Sequence, residues 1–356
     1  MRLISQQIAV RERATAGQIV RSMLAIQGQD LPGARWSIGL RGDGLTDDDV
    51  CASFDAGDIV RSWPMRGTLH VAAAEDIGWM LELMASRVTR ASATRRAALG
   101  ITGEDLELAR DAAVAALGGR RAQSREALLT AIAASGIVID GQRAYHLLRY
   151  LAQTGTLVLG PIIGKQQAFV LLEEWVPTPW RLGREEALGE LAGRYFRSHG
   201  PATERDLARW SGLPLGDVRR GMALCENGLA RLEIGGIVYH LAPEVLDTVP
   251  AAHPEPVLPD VRLLPGFDEF LLGYGDRSAA LAPEHAAAVV PGGNGMFLPT
   301  IVIDGEVMGT WKRTTRTREV VIGLSPFHPL GDSTREALAG AAIAYGSFLG
   351  KPARIG

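Results

Sequence analysis

Cysteine and lysine are the scarcest reactive side chains in this sequence. Its two cysteines, Cys51 and Cys225, lie far apart with no second Cys or His at ligand spacing. This argues against a disulfide framework or a zinc site and leaves two small buried hydrophobes. Lysine occurs only at 165, 312 and 351 of 356 residues, so the positive charge is almost all arginine. The arginine excess fits the codon bias of a GC-rich genome as readily as a function. A net charge of −3 is unfavourable for binding a polyanion unless those arginines are concentrated on one face.

Long apolar runs are missing too. None approaches the roughly 18 uninterrupted residues of a membrane helix. The opening "MRLISQQIAVRER" meets charge too early for a signal peptide, so a cytoplasmic protein with no membrane partner is expected. There is no G-x-x-x-x-G-K-[ST] loop, no G-x-S-x-G elbow and no H-E-x-x-H pair, and "GYGDRS" lacks the strand-to-helix setting of a dinucleotide fingerprint. Neither a metal nor a cofactor is expected.

What is present is an ordinary globular composition, 47% hydrophobic and 22% charged, long enough for about two to four compact units. "ATAGQIVRSMLAIQ" places apolar residues at helical spacing, with Gly28 as the expected stop. A second helix, begun at Thr46 or Asp47, leads toward the extended "RGTLHVAA" and then a helix over "DIGWMLELMASRVTRASATRRAAL".

From about residue 104 a rhythm of three helices and a strand pair occurs twice, the element order of a winged helix, and the first hundred residues fit the same scheme. In the second copy Thr203 is the expected N-cap and Gly212 the turn of a helix-turn-helix, while Gly235-Gly236 divides two strands. "PEVLDTVPAAHPEPVLPDV" reads as a Pro-rich linker, and the chain beyond it is β-rich, with Asp304-Gly305 as its strongest hairpin turn. The expected fold is therefore α+β. Winged-helix units span 1–100, 101–180 and 181–245, and a C-terminal β-rich unit with a hairpin and a last helix spans 246–356.

Chemistry has few places to reside. Gln27 and Gln29 flank Gly28, with Asp30 next. An amide can accept from a water through its carbonyl while its NH₂ is anchored elsewhere, so two of them can fix one water without presenting net charge. A solvent-exposed helix C-terminus explains the same pair equally simply. Asp30 supplies negative potential near a developing cation, or serves as a turn carboxylate. In "VRSWPMRGTLHVA", Arg61, Trp63, Arg66, Thr68 and His70 cluster, and 66, 68 and 70 share one face of an extended segment. That face suits phosphate and sugar contacts, or is the polar side of an edge strand. "TWKRTTRTR" offers Lys312, Arg313, Arg316 and Arg318 as a phosphate-tracking strip or a solvated strand edge.

Four stretches in order, "IQGQD", "RSWPMRGTLHV", "LLPGFDEFLLGYGDR" and "MFLPTIVIDGEVMGTWKR", resemble the winged-helix DNA glycosylases of the AlkZ/YcaQ type and spread over most of the chain. The resemblance implies three tandem winged helices and a β-barrel-like C-terminal unit forming a concave scaffold for duplex DNA. It also implies excision of N-alkylated purines, including bulky adducts and interstrand crosslinks. Gln27 and Gln29 match the two catalytic glutamines of the AlkZ-like branch, where the YcaQ-like branch has an acid in second place. Gly28 departs from the larger apolar residue expected between them. Phe267, Asp268 and Phe270 read as structural.

The sequence thus points to a monofunctional DNA glycosylase acting on N-alkylpurines such as N7-alkylguanine, a monomer whose partner is alkylated double-stranded DNA. No lysine lies near the glutamines, so a Schiff-base lyase step is not expected. The alternative is a non-catalytic winged-helix DNA-binding protein such as a transcriptional regulator, and a third possibility is a scaffold that has lost catalysis.

Overall fold

The computed structural model describes residues 1–164, 166–248 and 259–356. A capping box between Thr15 and Gln18 starts the first long helix, Ala16–Met23, by satisfying two otherwise free backbone donors. That helix ends before Gly28. Leu24 turns the backbone at φ 69, and Ile26–Gln27 becomes a strand. Leu24, Ala25 and Ile26 are all buried, and such a short apolar run suits helix or strand equally; here its hydrogen bonds go to a sheet.

A helix that the sequence pattern hid follows at Leu31–Arg41. Pro32 sits in its first turn, and its residues are buried on nearly every side, so no amphipathic stripe marks it. Gly39 is required by packing, because a Cβ there would collide with the Phe348 ring. Thr46 caps the next helix, Asp47–Ala56, as expected. The strands Ile59–Met65 and Thr68–Ala73 then form a hairpin whose two-residue turn, Arg66-Gly67, is left-handed at both positions (φ 52 and 75). The helix Ala74–Met80 runs on through a π turn, Leu81–Ala85.

The rhythm of three helices and a hairpin is present twice more. Gly103–Leu117, Arg125–Ala134 and Arg143–Gln153 precede the strands Leu157–Ile163 and Gln166–Leu171. Arg184–His199, Glu204–Ser211 and Leu215–Cys225 precede Ala230–Ile234 and Ile237–Leu241. Thr203 caps its helix and Gly212 ends it at φ 75, while Gly235 and Gly236 make the left-handed turn expected of them. The first two hairpins merge into one five-stranded sheet through the pairing of Arg61 with Leu159, which no local pattern announced.

The Pro-rich stretch begins as a short helix, Pro243–Thr248; its residues 249–258 lie outside the described residues. Beyond it, Val261–Leu264, Thr300–Ile303, Glu306–Thr315, Val320–Pro326 and Ala353–Ile355 form a second five-stranded sheet, covered by the helix Asp332–Phe348. Asp304-Gly305 makes its first hairpin turn. "EFLL" is not extended: Asp268 caps it as a helical turn, Glu269–Leu272.

One core joins the N-terminal helices to this second sheet. Trp36 meets Tyr345 edge-on at 4.9 Å between ring centroids, with Phe348 at 5.1 Å. Burial of each such side chain contributes roughly 1.5–3 kcal/mol, so the start of the chain is fixed against its end. Among the described residues no helix is long and apolar enough to cross a membrane.

Candidate active site

Gln27 lies on a strand at the edge of the first sheet, opposite His70, and the Gly28 N–H donates to the Leu69 carbonyl at 2.7 Å. The helix-terminus explanation of the amide pair therefore fails: the helix ends four residues earlier, and Gln27 is buried at 5% exposure. Gln29 is exposed. The Gln29 backbone N–H donates to Gln27 Oε1 at 2.9 Å, and Gln27 Nε2 donates to Gln29 Oε1 at 2.6 Å. A backbone N–H can only donate, so the first bond fixes which way the Gln27 amide faces, and the second then fixes Gln29. The pair is locked, with the Gln29 NH₂ and the remaining carbonyl lone pairs left to bind something else.

The strand is pinned from a distant part of the chain. Glu269, fully buried, accepts from the Gln27 backbone N–H at 2.9 Å and from Trp210 Nε1 at 2.9 Å, while His199 Nε2 stands 3.6 Å away, at ion-pair range. Burial acts to raise this carboxyl, but His199 and Trp210 outweigh it and hold the group below its ordinary value. Its neighbour Asp268 accepts from Arg41 through both oxygens at 2.9 Å and from Ser37 Oγ at 2.7 Å, fixing the helix that begins after Asp30. Glu269 and Trp210 went unnoticed in the sequence. The available sign was an acid set between aromatic residues in "FDEF", where burial forces a carboxylate to find partners.

Asp30 is met by Arg313, at 2.9 and 3.2 Å from its two oxygens. Arg313 thus comes to the site, but as a counter-charge. The rest of its strip is dispersed, because neighbours on a strand face opposite ways. Lys312 is exposed and lies over Gly323, and Arg316 bends back to Glu319 at 2.9 Å. Arg61 packs against Gly28, where a Cβ would lie 3.4 Å from its Nε, and it donates to Gln167 Oε1 at 3.0 Å. Burial lowers Arg61 to about 10, with the Asp30 charge acting against that.

Arg66 and His70 do share a face, 3.4 Å apart, but it is turned inward. The segment is not an edge strand, since Thr68–Ala73 is flanked on both sides. His70 is completely buried; burial first, then the Arg66 charge, lowers it to about 3, so it is neutral. Its Nδ1 donates to the Thr68 carbonyl at 3.0 Å, which leaves Nε2 to accept from Arg66. Thr68 is half-buried, and Trp63 packs in the core of the second helical group, with Tyr145 edge-on at 6.5 Å. His70 thus does not reach the surface that the alternation of 66, 68 and 70 suggested, and Trp63 is largely buried beside Arg61. Among the described residues no cluster of three or more His, Cys, Asp or Glu is placed to hold a metal ion.

A rigid, uncharged amide pair beside Asp30 and Arg61, on a scaffold of repeated helix and hairpin groups, leaves amide donors and acceptors able to hold a small polar molecule such as water. Residues 20–348 match the family model described as DNA glycosylase AlkZ-like, and the chain belongs to that family of DNA glycosylases, which cleave N-glycosyl bonds. Among its relatives is an interstrand DNA cross-link repair glycosylase of Streptomyces sahachiroi, 26% identical over 326 residues, covering 87% of this chain and 85% of that protein. The solved structure of the Streptomyces sahachiroi DNA glycosylase AlkZ is similar throughout, with a TM-score of 0.79 at 26% identity, covering 100% of this chain and 97% of that one. The curled C-terminal sheet and the mixture of helix and strand are shared with it.

Proposed function

We propose that this protein is a monofunctional glycosylase that hydrolyses the N-glycosidic bond of N-alkylated purines, N7-alkylguanine among them, in duplex DNA. Bulky adducts and interstrand crosslinks fall within the same reading, in keeping with the Streptomyces sahachiroi relative, an interstrand DNA cross-link repair glycosylase. The observation that carries it is the locked amide pair, with Gln27 buried and pinned through its backbone and Gln29 facing outward.

The chemistry suits such a pair. Alkylation at N7 makes the purine cationic, so it leaves readily. The oxygen of a water bonds to C1′, the C1′–N9 bond breaks with its electron pair passing into the purine and cancelling that charge, and the water's proton is lost to solvent. No strong base is needed. Gln27 and Gln29 hold the water on the face opposite the departing base, and Asp30, partly balanced by Arg313, sits where positive charge develops on the sugar. Lys312 lies on the opposite face of its strand from Arg313, away from Asp30, in keeping with hydrolysis without a lyase step. In this reading the three helix and hairpin groups are winged-helix units near 1–100, 101–180 and 181–245, the β-rich unit covers 246–356, and a monomer binds the duplex, with Arg61, beside Gly28, nearest the lesion.

The test is incubation with duplex DNA containing N7-methylguanine, followed by heat or alkali to reveal abasic sites. Gln27→Ala and Gln29→Ala each lower the single-turnover rate on the order of 10², while fold and duplex affinity stay nearly intact. Parental rates in both variants would show that the pair has no catalytic role.

A further inference from the structure

Where the first two hairpins merge, a cavity of about 380 Å³ opens beside the amide pair. Leu31, two residues beyond Gln29, lines it, as does Leu69, whose carbonyl accepts from the Gly28 N–H. Arg61, which packs against Gly28, lines it as well. Much of the remaining wall comes from the second helical group: Phe169 and Gln167 from the strand Gln166–Leu171, Tyr145 from the helix Arg143–Gln153, and Arg125 from the start of the helix Arg125–Ala134. Aromatic walls with a few convergent polar groups, at this size, are the ordinary form of a small-ligand site.

The lining selects by charge. Among the described residues that form it there is no acid, whereas there are two arginines. Arg61 Nη1 donates to Gln167 Oε1 at 3.0 Å, and Gln167 Nε2 donates to the Gly160 carbonyl at 3.1 Å, so neutral groups of the second hairpin brace the guanidinium. Its Nε is buried with no partner among the described residues, and Arg125 is exposed. Of the neighbouring acids, Asp30 meets Arg313, and Glu126 lines the adjoining groove, which Arg125 and Gln166 share. Guanidinium groups held by neutral partners in a partly dry cavity favour an anion.

The lining also selects by shape. The Tyr145 ring is 39% exposed, while Trp63 and Phe169 are 6% and 4% exposed. Trp63 meets Tyr145 edge-on, and the Arg149 guanidinium stands 6.0 Å from the centroid of that ring. Tyr145 is thus held in place while still open to a planar group. An open ring beside cations is the pairing by which proteins take unstacked nucleotides, the base on the ring and the phosphate on the charge.

We propose that this cavity binds one unstacked nucleotide of the DNA, with its base against Tyr145 and its phosphate toward Arg61 and Arg125. Arg125 and Tyr145 are thereby assigned to DNA binding. An apolar substituent would cover the ring and leave both guanidinium groups unanswered; a bare phosphate would leave the ring exposed. The cavity takes from the preceding reading only that the partner is DNA. Its test uses undamaged DNA and reads binding, so excision can fail while nucleotide capture holds, and the reverse.

Dissociation constants are measured for a short paired duplex and for the same duplex carrying one unpaired 2-aminopurine nucleotide, with the parental protein, Tyr145→Ala, Tyr145→Phe and Arg125→Gln. The parental protein binds the interrupted duplex about tenfold more tightly, and 2-aminopurine emission falls as the base stacks. Tyr145→Ala loses both the preference and the fall in emission, and Tyr145→Phe keeps both. Arg125→Gln, exposed and outside the core, lowers the preference and makes it less dependent on salt, because one phosphate contact is gone. Equal affinity of the parental protein for the two duplexes overturns the proposal. A preference that survives Tyr145→Ala also overturns it, since it would report only the easier bending of an interrupted duplex. Loss of the preference in Tyr145→Phe as well as in Tyr145→Ala would mark the phenol as a packing group and overturns the stacking role.

Discussion

Replacing Asp268 by alanine is the sharpest test of how the site is held. Arg41 is 0% exposed in its side chain and Asp268 3%, and two guanidinium nitrogens meet the two carboxylate oxygens at 2.9 Å. Burial alone would raise this carboxyl, but the Arg41 charge and the bonds from Arg41, Phe270 and Ser37 keep it ionised below its ordinary value. Alanine leaves a buried guanidinium with only the neutral oxygens of Ser37 and Gln6, a loss of about 3–5 kcal/mol. With an unfolding entropy near 2 cal/mol/K per residue, roughly 0.7 kcal/mol/K for the chain, that is a fall in Tm of about 4–7 °C. Because Arg41 ends the helix that begins after Asp30, excision slows as well. Removing both charges in Arg41→Met/Asp268→Leu should restore much of the stability, since a paired buried ion costs about as much to desolvate as it gains. Differential scanning calorimetry decides. A loss under about 1 kcal/mol in Asp268→Ala, or a double variant no more stable than the single one, would refute the reasoning.

Two further outcomes follow from the groups behind the amide pair. Glu269→Gln keeps an acceptor for the Gln27 N–H but presents an amide donor to Trp210 or His199, so the strand shifts; excision should slow about ten- to a hundred-fold with duplex affinity within a factor of two, and an equal loss in both measurements would contradict a positioning role. His70 has its folded value lowered to about 3 from an unfolded value near 6.5, so between those values the unfolded chain binds more protons. Its contribution is complete above about pH 6.5 and is lost as pH falls, at up to about 1.4 kcal/mol per pH unit. Urea unfolding at pH 7, 6 and 5 should show this slope in the parental protein and a flatter one in His70→Gln; identical slopes would show that His70 carries no such burden.

What the sequence determined by itself is what neighbouring residues decide. Thr15, Thr46 and Thr203 start helices because a hydroxyl and a side-chain acceptor three residues on satisfy each other's backbone donors, and Gly235-Gly236 and Asp304-Gly305 turn hairpins because their backbones accept left-handed φ. The residue types of the amide pair, and the ordered stretches that point to DNA glycosylases, are equally local.

The tertiary structure decided whether Leu24 to Gln27 would be helix or strand, because an apolar run carries no period and its backbone pairs wherever a sheet edge is offered. It hid Leu31–Arg41, whose burial on nearly all sides erases the pattern by which helices are read. It turned Arg66 and His70 inward and split Lys312 from Arg313, since alternation fixes which residues share a face but not which face meets solvent. And it placed Glu269 against Gln27 across 242 residues, a contact set by how separate groups pack around one core, to which no spacing along the chain refers.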